Sequence, residues 1–163
     1  MQRFTVLISV LLLAVCAESA VGQTRYKTYA NARFDYQIKY PVDVLVPLSE
    51  AENGDGRVFE SKDKTAKMLV WGQYNALFDT LKGAYENDLK ERLTGITYKV
   101  LLKNGYVISG KRGNTIFYQK TILNGTDGDS GAIFCTFSIE YPRSAKAKFD
   151  PMVRRISKSF KFN

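Results

Sequence analysis

Two short runs rich in glycine and in acidic or amide residues are the places where this sequence could hold a metal ion or a phosphate. The first, Glu52–Glu60 (ENGDGRVFE), places Asn53 and Asp55 two residues apart. An EF-hand calcium loop would continue its oxygen ligands at alternating positions, but those positions are Arg57 and Phe59. A phosphate loop would open a helix, whereas we expect a strand to follow. The run therefore predicts a tight turn, because Asn-Gly and Asp-Gly favour chain reversal.

The second run, Asn124–Ser130 (NGTDGDS), is a better candidate for a metal site because Asp127 and Asp129 alternate. Calcium takes six to eight oxygen ligands, and two carboxylates rarely suffice. A solvated hairpin loop is the simpler interpretation, and calcium binding by this loop stays open. The sequence predicts no resident metal ion and no cofactor.

Nucleophilic catalysis lacks its usual partner in this chain, which contains no histidine. Without histidine there is no Ser-His or Cys-His pair and no ordinary zinc site. Cys135 lies on the same face of a predicted strand as large apolar residues, which indicates a buried and unreactive thiol. Glu86, Asp88 and Glu91 have the spacing of a solvated helix face. No catalytic residue is predicted, although a carboxylate pair for hydrolysis would not be visible in the sequence.

The C-terminal segment carries an excess of positive charge. The whole chain has 24 Lys and Arg against 16 Asp and Glu, a net charge of +8. After residue 142 there is one acidic residue and a set of seven basic ones: Arg143, Lys146, Lys148, Arg154, Arg155, Lys158 and Lys161. Because clustered cations attract anions, we expect these residues to bind an anionic partner. An acidic protein or an envelope surface of phospholipid or lipopolysaccharide would fit; no specific nucleic acid is predicted.

Three of these cations have a helical spacing. Arg154, Lys158 and Lys161 lie at i, i+4 and i+7, opposite an apolar stripe of Val153, Ile156 and Phe160. The alternative interpretation is a solvated helix face whose cations interact with the C-terminal end of the helix dipole. Both interpretations stay open at the level of sequence.

The elements that must position these residues follow from hydrophobic periodicity. Alternating or apolar runs predict seven strands: 36–40, 57–60, 67–73, 98–103, 106–111, 115–123 and 131–141. A helix is predicted from an N-cap at Asp79 to about Leu93, and a second from Asp150-Pro151 to the end. Most connections are of hairpin length, so we expect an antiparallel sheet, with the apolar strand 67–73 near its centre.

The first 22 residues have the organisation of a secretory signal peptide. A basic residue, Arg3, precedes the apolar run Phe4–Cys16, and small residues follow at Ala20–Gly22. The apolar run of about thirteen residues is shorter than the roughly 20 of a membrane span. We therefore expect cleavage after residue 22 and a single secreted or periplasmic domain over 23–163. Lipidation at Cys16 is the alternative.

The order of elements and several landmarks resemble the PsbP-like superfamily, in particular small secreted bacterial proteins of PsbP-like or DcrB-like fold. The landmarks are YANARFDYQIKYP (29–41), NGDGRVF (53–59), GYVISGKRGNTIFYQK (105–120), IEYP (139–142) and DPMVRRISKSF (150–160). The resemblance implies an α+β fold, in which an antiparallel sheet of about six to seven strands is sandwiched between helices. It carries over no catalytic residue, because the superfamily shares no catalytic motif.

Together, the residues and the resemblance lead to one preferred hypothesis and one alternative. We expect a secreted or periplasmic, non-catalytic binding or assembly factor that contacts an anionic partner through its basic C-terminal helix. The alternative is a small secreted hydrolase with an unrecognised carboxylate site. An empty, apolar or absent cleft would favour the preferred hypothesis, and two carboxylates that converge in a cleft and have raised pKa values would favour the alternative.

Overall fold

The computed structural model describes residues 24–77, 79–91 and 94–163. The predicted signal peptide, its predicted cleavage site and Cys16 lie outside these ranges. In the described part of the chain, no helix is long and apolar enough to cross a membrane. The elements are β1 Tyr26–Asn31, β2 Tyr36–Pro41, β3 Leu45–Glu50, β4 Gly56–Ser61, β5 Lys67–Tyr74, α1 Leu81–Glu91, β6 Ile96–Leu102, β7 Gly105–Arg112, β8 Thr115–Asn124, β9 Ile133–Pro142, α2 Lys146–Ser159 and β10 Lys161–Phe162.

The strands form two antiparallel sheets. The large sheet has the order β3-β4-β5-β9-β8-β7-β6, and the small sheet has the order β1-β2-β10. After β5, helix α1 carries the chain to the far edge of the large sheet, and β6 to β9 return strand by strand until β9 pairs with β5. The predicted antiparallel sheet and the central position of β5 are confirmed. The sequence does not predict β1, β3 and β10.

The two faces of the large sheet pack against different layers. Because side chains alternate along a strand, Cys135, Phe137 and Ile139 of β9 share one face, where α2 and the small sheet cover them. On the opposite face, Phe134 of β9 and Phe117 of β8 pack with the buried first residue of α1. The predicted α+β sandwich is therefore confirmed, with the small sheet sharing one outer layer with α2.

Helix α2 begins earlier than the Asp150-Pro151 motif predicts. It starts at Lys146, directly after a 3-10 turn, and Pro151 lies inside it without a side-chain cap at the helix start. Asp150 is not an N-cap, because its carboxylate accepts a hydrogen bond from Tyr141 Oη at 2.9 Å and pairs with Lys146. Pro151 is the sixth residue of the helix, beyond its first turn, so it removes a backbone donor that the regular i to i−4 hydrogen bonds would otherwise use.

Helix α1 is capped one residue later than predicted. Thr80 Oγ1 accepts a hydrogen bond from the Gly83 N–H at 3.0 Å, which makes Thr80 rather than Asp79 the N-cap. The Leu81 N–H is also satisfied, by Asp127 Oδ1 at 2.5 Å. A carboxylate from the second acidic run therefore stabilises the positive end of the α1 dipole.

The run at residues 52–60 contains the predicted turn, which also fastens the small sheet to the large one. Gly54 has φ +70°, and its N–H donates to the Ala51 carbonyl at 2.8 Å. The fully buried Asn31, at the end of β1, donates from Nδ2 to the Gly54 carbonyl at 2.8 Å. Arg33 pairs with the Asp55 carboxylate at 2.8 Å. The polar groups that suggested a metal loop thus bind neighbouring loops of the protein.

Candidate functional site

The basic residues predicted to bind a partner are all exposed on the outer layer that contains α2; these seven residues are called the basic surface below. They are Arg143 in the 3-10 turn, Lys146, Lys148, Arg154, Arg155 and Lys158 in α2, and Lys161 in β10. Val153, Ile156 and Phe160 are buried beneath them, as the apolar stripe predicts. Lys161 is a correction, because the chain becomes extended at Phe160 and Lys161 therefore does not continue the helical stripe.

Three members of the basic surface have partners of their own. Lys146 pairs with Asp150, and the Arg155 guanidinium lies 4.2 Å from the centroid of the Tyr26 ring. The Lys148 ammonium lies 5.4 Å from the centroid of the Phe149 ring. Within the described ranges, the other members form no ion pair: Arg143, Arg154, Lys158 and Lys161. These four cations are exposed, although Arg154 lies close enough to Asp150 to help lower the pKa of that carboxyl, and exposed cations attract external anions.

A groove of about 280 Å³ lies between α2 and the β6–β8 end of the large sheet; we call it the basic groove. Lys146 and Arg154 line it from α2, Lys111 lines it from β7, and Asp150 is the one acid among the described residues of its lining. Partial burial raises the pKa of Asp150, but hydrogen bonds from Lys146 and Tyr141 outweigh this effect and leave the pKa below its ordinary value. Asp150 therefore stays charged and neutralises only part of the positive groove.

Sequence reasoning missed Lys111 because it follows apolar residues in a strand and precedes a turn. Its register opposite Ile116 places it on the face of the sheet that α2 covers. That pairing follows from the tight turn between β7 and β8. The register of this hairpin could therefore have predicted that Lys111 lies on the same side of the sheet as the cations of α2.

A second cavity, of about 530 Å³, lies on the other face of the large sheet, between the sheet and α1; we call it the α1 cleft. The carboxylates that line it are Asp79, Asp88 and Glu91, and Trp71 of β5 forms part of its wall. Asp88 Oδ2 accepts hydrogen bonds from Tyr106 Oη at 2.7 Å and from Gln119 Nε2.

The position of Asp88 corrects the predicted solvated helix face. Glu86 does face solvent, paired with Lys82 at 3.8 Å, whereas Asp88 faces the sheet. The spacing along the helix could have predicted that Asp88 faces the sheet. Asp88 lies three residues after Tyr85 and four after Ala84, and both of these residues pack toward the sheet. The cleft is thus polar and contains carboxylates, which is part of what the hydrolase alternative requires.

The second acidic run uses its carboxylates within the fold. Asp127 accepts from the Leu81 N–H, and Asp129 Oδ1 accepts from the Gly131 N–H at 2.7 Å. Among the residues that the structure describes, no three acidic or cysteine side chains are grouped so as to hold a metal ion. The loop is therefore explained by capping and turn formation.

Comparison with known proteins shows the fold. The chain is similar to cyanobacterial PsbP (CyanoP) from Synechocystis sp. PCC 6803, with 12% identity and a TM-score of 0.62 over 88% of this chain and 96% of that one. It is also similar to the Saccharomyces cerevisiae Ran-binding protein Mog1p, with 12% identity and a TM-score of 0.51 over 85% and 96% of the two chains. No protein-family model and no curated protein sequence matches the chain.

Proposed function

Beginning from a PsbP-like fold, we propose that this protein is a non-catalytic binding or assembly factor that contacts an anionic partner through the basic surface. The observation that carries the proposal is the exposure of seven cations on one outer layer, four of them without an ion pair among the described residues. The predicted signal peptide supports a secreted or periplasmic location. A similar fold in a protein named as Ran-binding indicates that this architecture can serve recognition.

The expected affinity change can be estimated from charge alone. Each Lys or Arg near an anionic surface contributes about 1 kcal/mol. Removing the attraction of three cations should therefore lower the binding constant by about a hundredfold, and reversing their charge should lower it further. The attraction should also weaken with salt, because the Debye length falls from about 10 Å at 0.1 M to about 3 Å at 1 M.

The test compares two triple variants that change the net charge equally. Arg154, Lys158 and Lys161 are replaced by Glu in the first, and the control carries the same change at Lys82, Lys90 and Lys103, of which the first two lie on α1 across the large sheet. Binding is measured to phosphatidylglycerol vesicles, to lipopolysaccharide and to polyglutamate across a salt series.

We expect the first variant to lose binding to at least one of these anions while the control retains it. Melting temperatures should stay within a few degrees of wild type, because surface substitutions change stability by about 0.5 kcal/mol. Equal binding by both variants, salt-independent binding, or no binding to any of the three anions would contradict the proposal.

The hydrolase remains a second candidate because the α1 cleft contains three carboxylates. Against it, Asp88 Oδ2 already accepts hydrogen bonds from Tyr106 and Gln119, so this oxygen is used within the fold. Release of nitrophenol from a panel of chromogenic glycosides and esters, lost in Asp88→Asn, would establish this candidate instead.

A further inference from the structure

The floor of the α1 cleft, which the large sheet forms, contains buried polar side chains that packing alone does not explain. On the α2 side of β8 and β9, the sheet residues that form the core are apolar. On the α1 side of the same strands, Gln119, Thr121 and Thr136 are nearly fully buried and line the cleft. Burying polar groups costs free energy unless they are hydrogen-bonded. A purely structural layer would favour apolar residues at these positions, as the opposite face has except at Lys120, whose ammonium donates to the Ser157 carbonyl at 2.8 Å.

One hydrogen-bond donor in this floor is unused. Thr121 and Thr136 are a cross-strand pair, 2% and 6% exposed, with their hydroxyl oxygens 2.8 Å apart. One hydroxyl donates to the other, so the hydrogen of the accepting hydroxyl has no acceptor in the described part of the chain. A buried donor without a partner costs about 1–3 kcal/mol. A ligand that supplies an acceptor would remove that cost.

The walls of the cleft provide both acceptors and donors together with an aromatic surface. Asp79 and Asp88 contribute carboxylates, and Gln73 and Asn87 contribute amides that both donate and accept. Trp71, the only tryptophan of the chain, is partly exposed on the wall and offers an apolar indole. No lysine or arginine lies among the described residues that line the cavity, so the described lining does not suit a phosphate or other anion.

We propose that the α1 cleft is a binding site for a neutral, hydroxyl-rich ligand, namely a saccharide unit. Each sugar hydroxyl can both donate and accept a hydrogen bond. The several hydroxyls of one sugar can therefore bind the carboxylates, the amides and the unused threonine hydroxyl at the same time. An amine would supply donors alone and leave that hydroxyl unsatisfied. The apolar face of a sugar ring can pack on the indole of Trp71, and the cavity volume of about 530 Å³ is within the range of small-molecule sites.

This site is independent of the basic surface. The α1 cleft and the basic surface lie on opposite faces of the large sheet, and no residue of the basic surface lines the cleft. Loss of one binding activity therefore leaves the other measurable in the same sample.

The test uses Trp71 as its own reporter. Fluorescence of the full chain is titrated with glucose, N-acetylglucosamine, cellobiose and chitobiose, and separately with spermidine. Thr136→Val removes a cleft hydroxyl at nearly constant shape. Ser138→Ala is the matched control, because Ser138 is the next β9 residue on the same face and does not line the cleft. Circular dichroism and melting curves verify that both variants fold.

We expect at least one saccharide to give a saturable fluorescence change, at least tenfold weaker in Thr136→Val and unchanged in Ser138→Ala. Should Thr136→Val not fold, mapping of NMR shift changes in the wild type to the cleft residues replaces it. Cleavage of a disaccharide would support the saccharide site and the hydrolase candidate together. No saturable response to any of the four sugars, a response to spermidine alone, or equal affinity in both variants would overturn the proposal.

Discussion

Phe34, in the turn between β1 and β2 of the small sheet, packs closely against Gly72 of the large sheet. Phe34 is 2% exposed, and its ring lies 5.2 Å from that of Tyr74 in an edge-on arrangement. A Cβ on Gly72 would lie 2.5 Å from Phe34 Cγ and 2.7 Å from Phe34 Cβ. Real atoms do not approach so closely, so Gly72→Ala must displace the Phe34 ring. The expected cost is about 1–3 kcal/mol of unfolding free energy, as for other overpacked cores.

A double-mutant cycle separates this clash from other effects. Phe34→Ala alone should cost about 3–5 kcal/mol by leaving a cavity. Adding Gly72→Ala to that variant should cost little, because the obstructing ring is gone. The coupling free energy should therefore be about 1–3 kcal/mol, and the double variant should be more stable than the sum of the single changes predicts.

Urea unfolding followed by Trp71 fluorescence measures these values, since the indole lies next to Gly72 in β5. With m about 1–3 kcal/mol/M for a small protein, a change of about 2 kcal/mol moves the midpoint by roughly 1 M. Gly83→Ala in α1 is the control for a glycine-to-alanine change, because its Cβ would meet only Thr80 Oγ1, at 3.3 Å. Additive costs in the cycle would refute the packing argument.

Two further predictions concern titratable groups. Burial raises the pKa of Cys135 to about 12, so native protein should resist a bulky thiol reagent that labels the Cys135 peptide quickly after denaturation. Cys135→Ser should cost about 1–3 kcal/mol by burying a hydroxyl; rapid native labelling would contradict the strand register. Hydrogen bonds from Ser61 and Thr65 lower the pKa of Asp63 from 3.8 to about 2. The unfolded chain therefore takes up this proton first, and the contribution of Asp63 to stability should be lost as the pH falls from about 4 to about 2. Asp63→Asn should flatten that part of the pH–stability curve; equal slopes in wild type and Asp63→Asn would refute the assignment.

The sequence predicts the strands that have alternating or continuous apolar residues, and it misses β1, β3 and the two-residue β10. In β9, Cys135, Phe137 and Ile139 alternate as core residues, and the strand is predicted. In β1 the fully enclosed position is Asn31, whose role depends on hydrogen bonds to another loop. In β3 only the first residue is buried and Pro47 interrupts the pattern. Such edge strands are determined by pairing partners, which hydrophobic periodicity does not report.

The candidate sites differ in the same way. The basic surface was predictable because it belongs to one contiguous segment with an apolar stripe beneath it. The α1 cleft combines side chains from β5, α1, β8 and β9, so it exists only after the sheet order is known. The Asp150-Pro151 motif misled because its local chemistry suits a helix start, while the Asp150 carboxylate is used by Tyr141 and Lys146.

The pairing of β10 with β2 has a consequence for synthesis of the chain. Lys161 and Phe162 bind opposite Gln37 and Tyr36, and the Asn163 N–H donates to the Asp35 carbonyl at 3.0 Å. The third strand of the small sheet therefore cannot form until residue 162 has left the ribosome. Until then, β2 offers an unpaired edge to the solvent, and strand edges of this kind are sites of non-native association. Native closure of the small sheet therefore depends on a pairing between two segments that lie far apart in the sequence, and this pairing ends the exposure of the β2 edge.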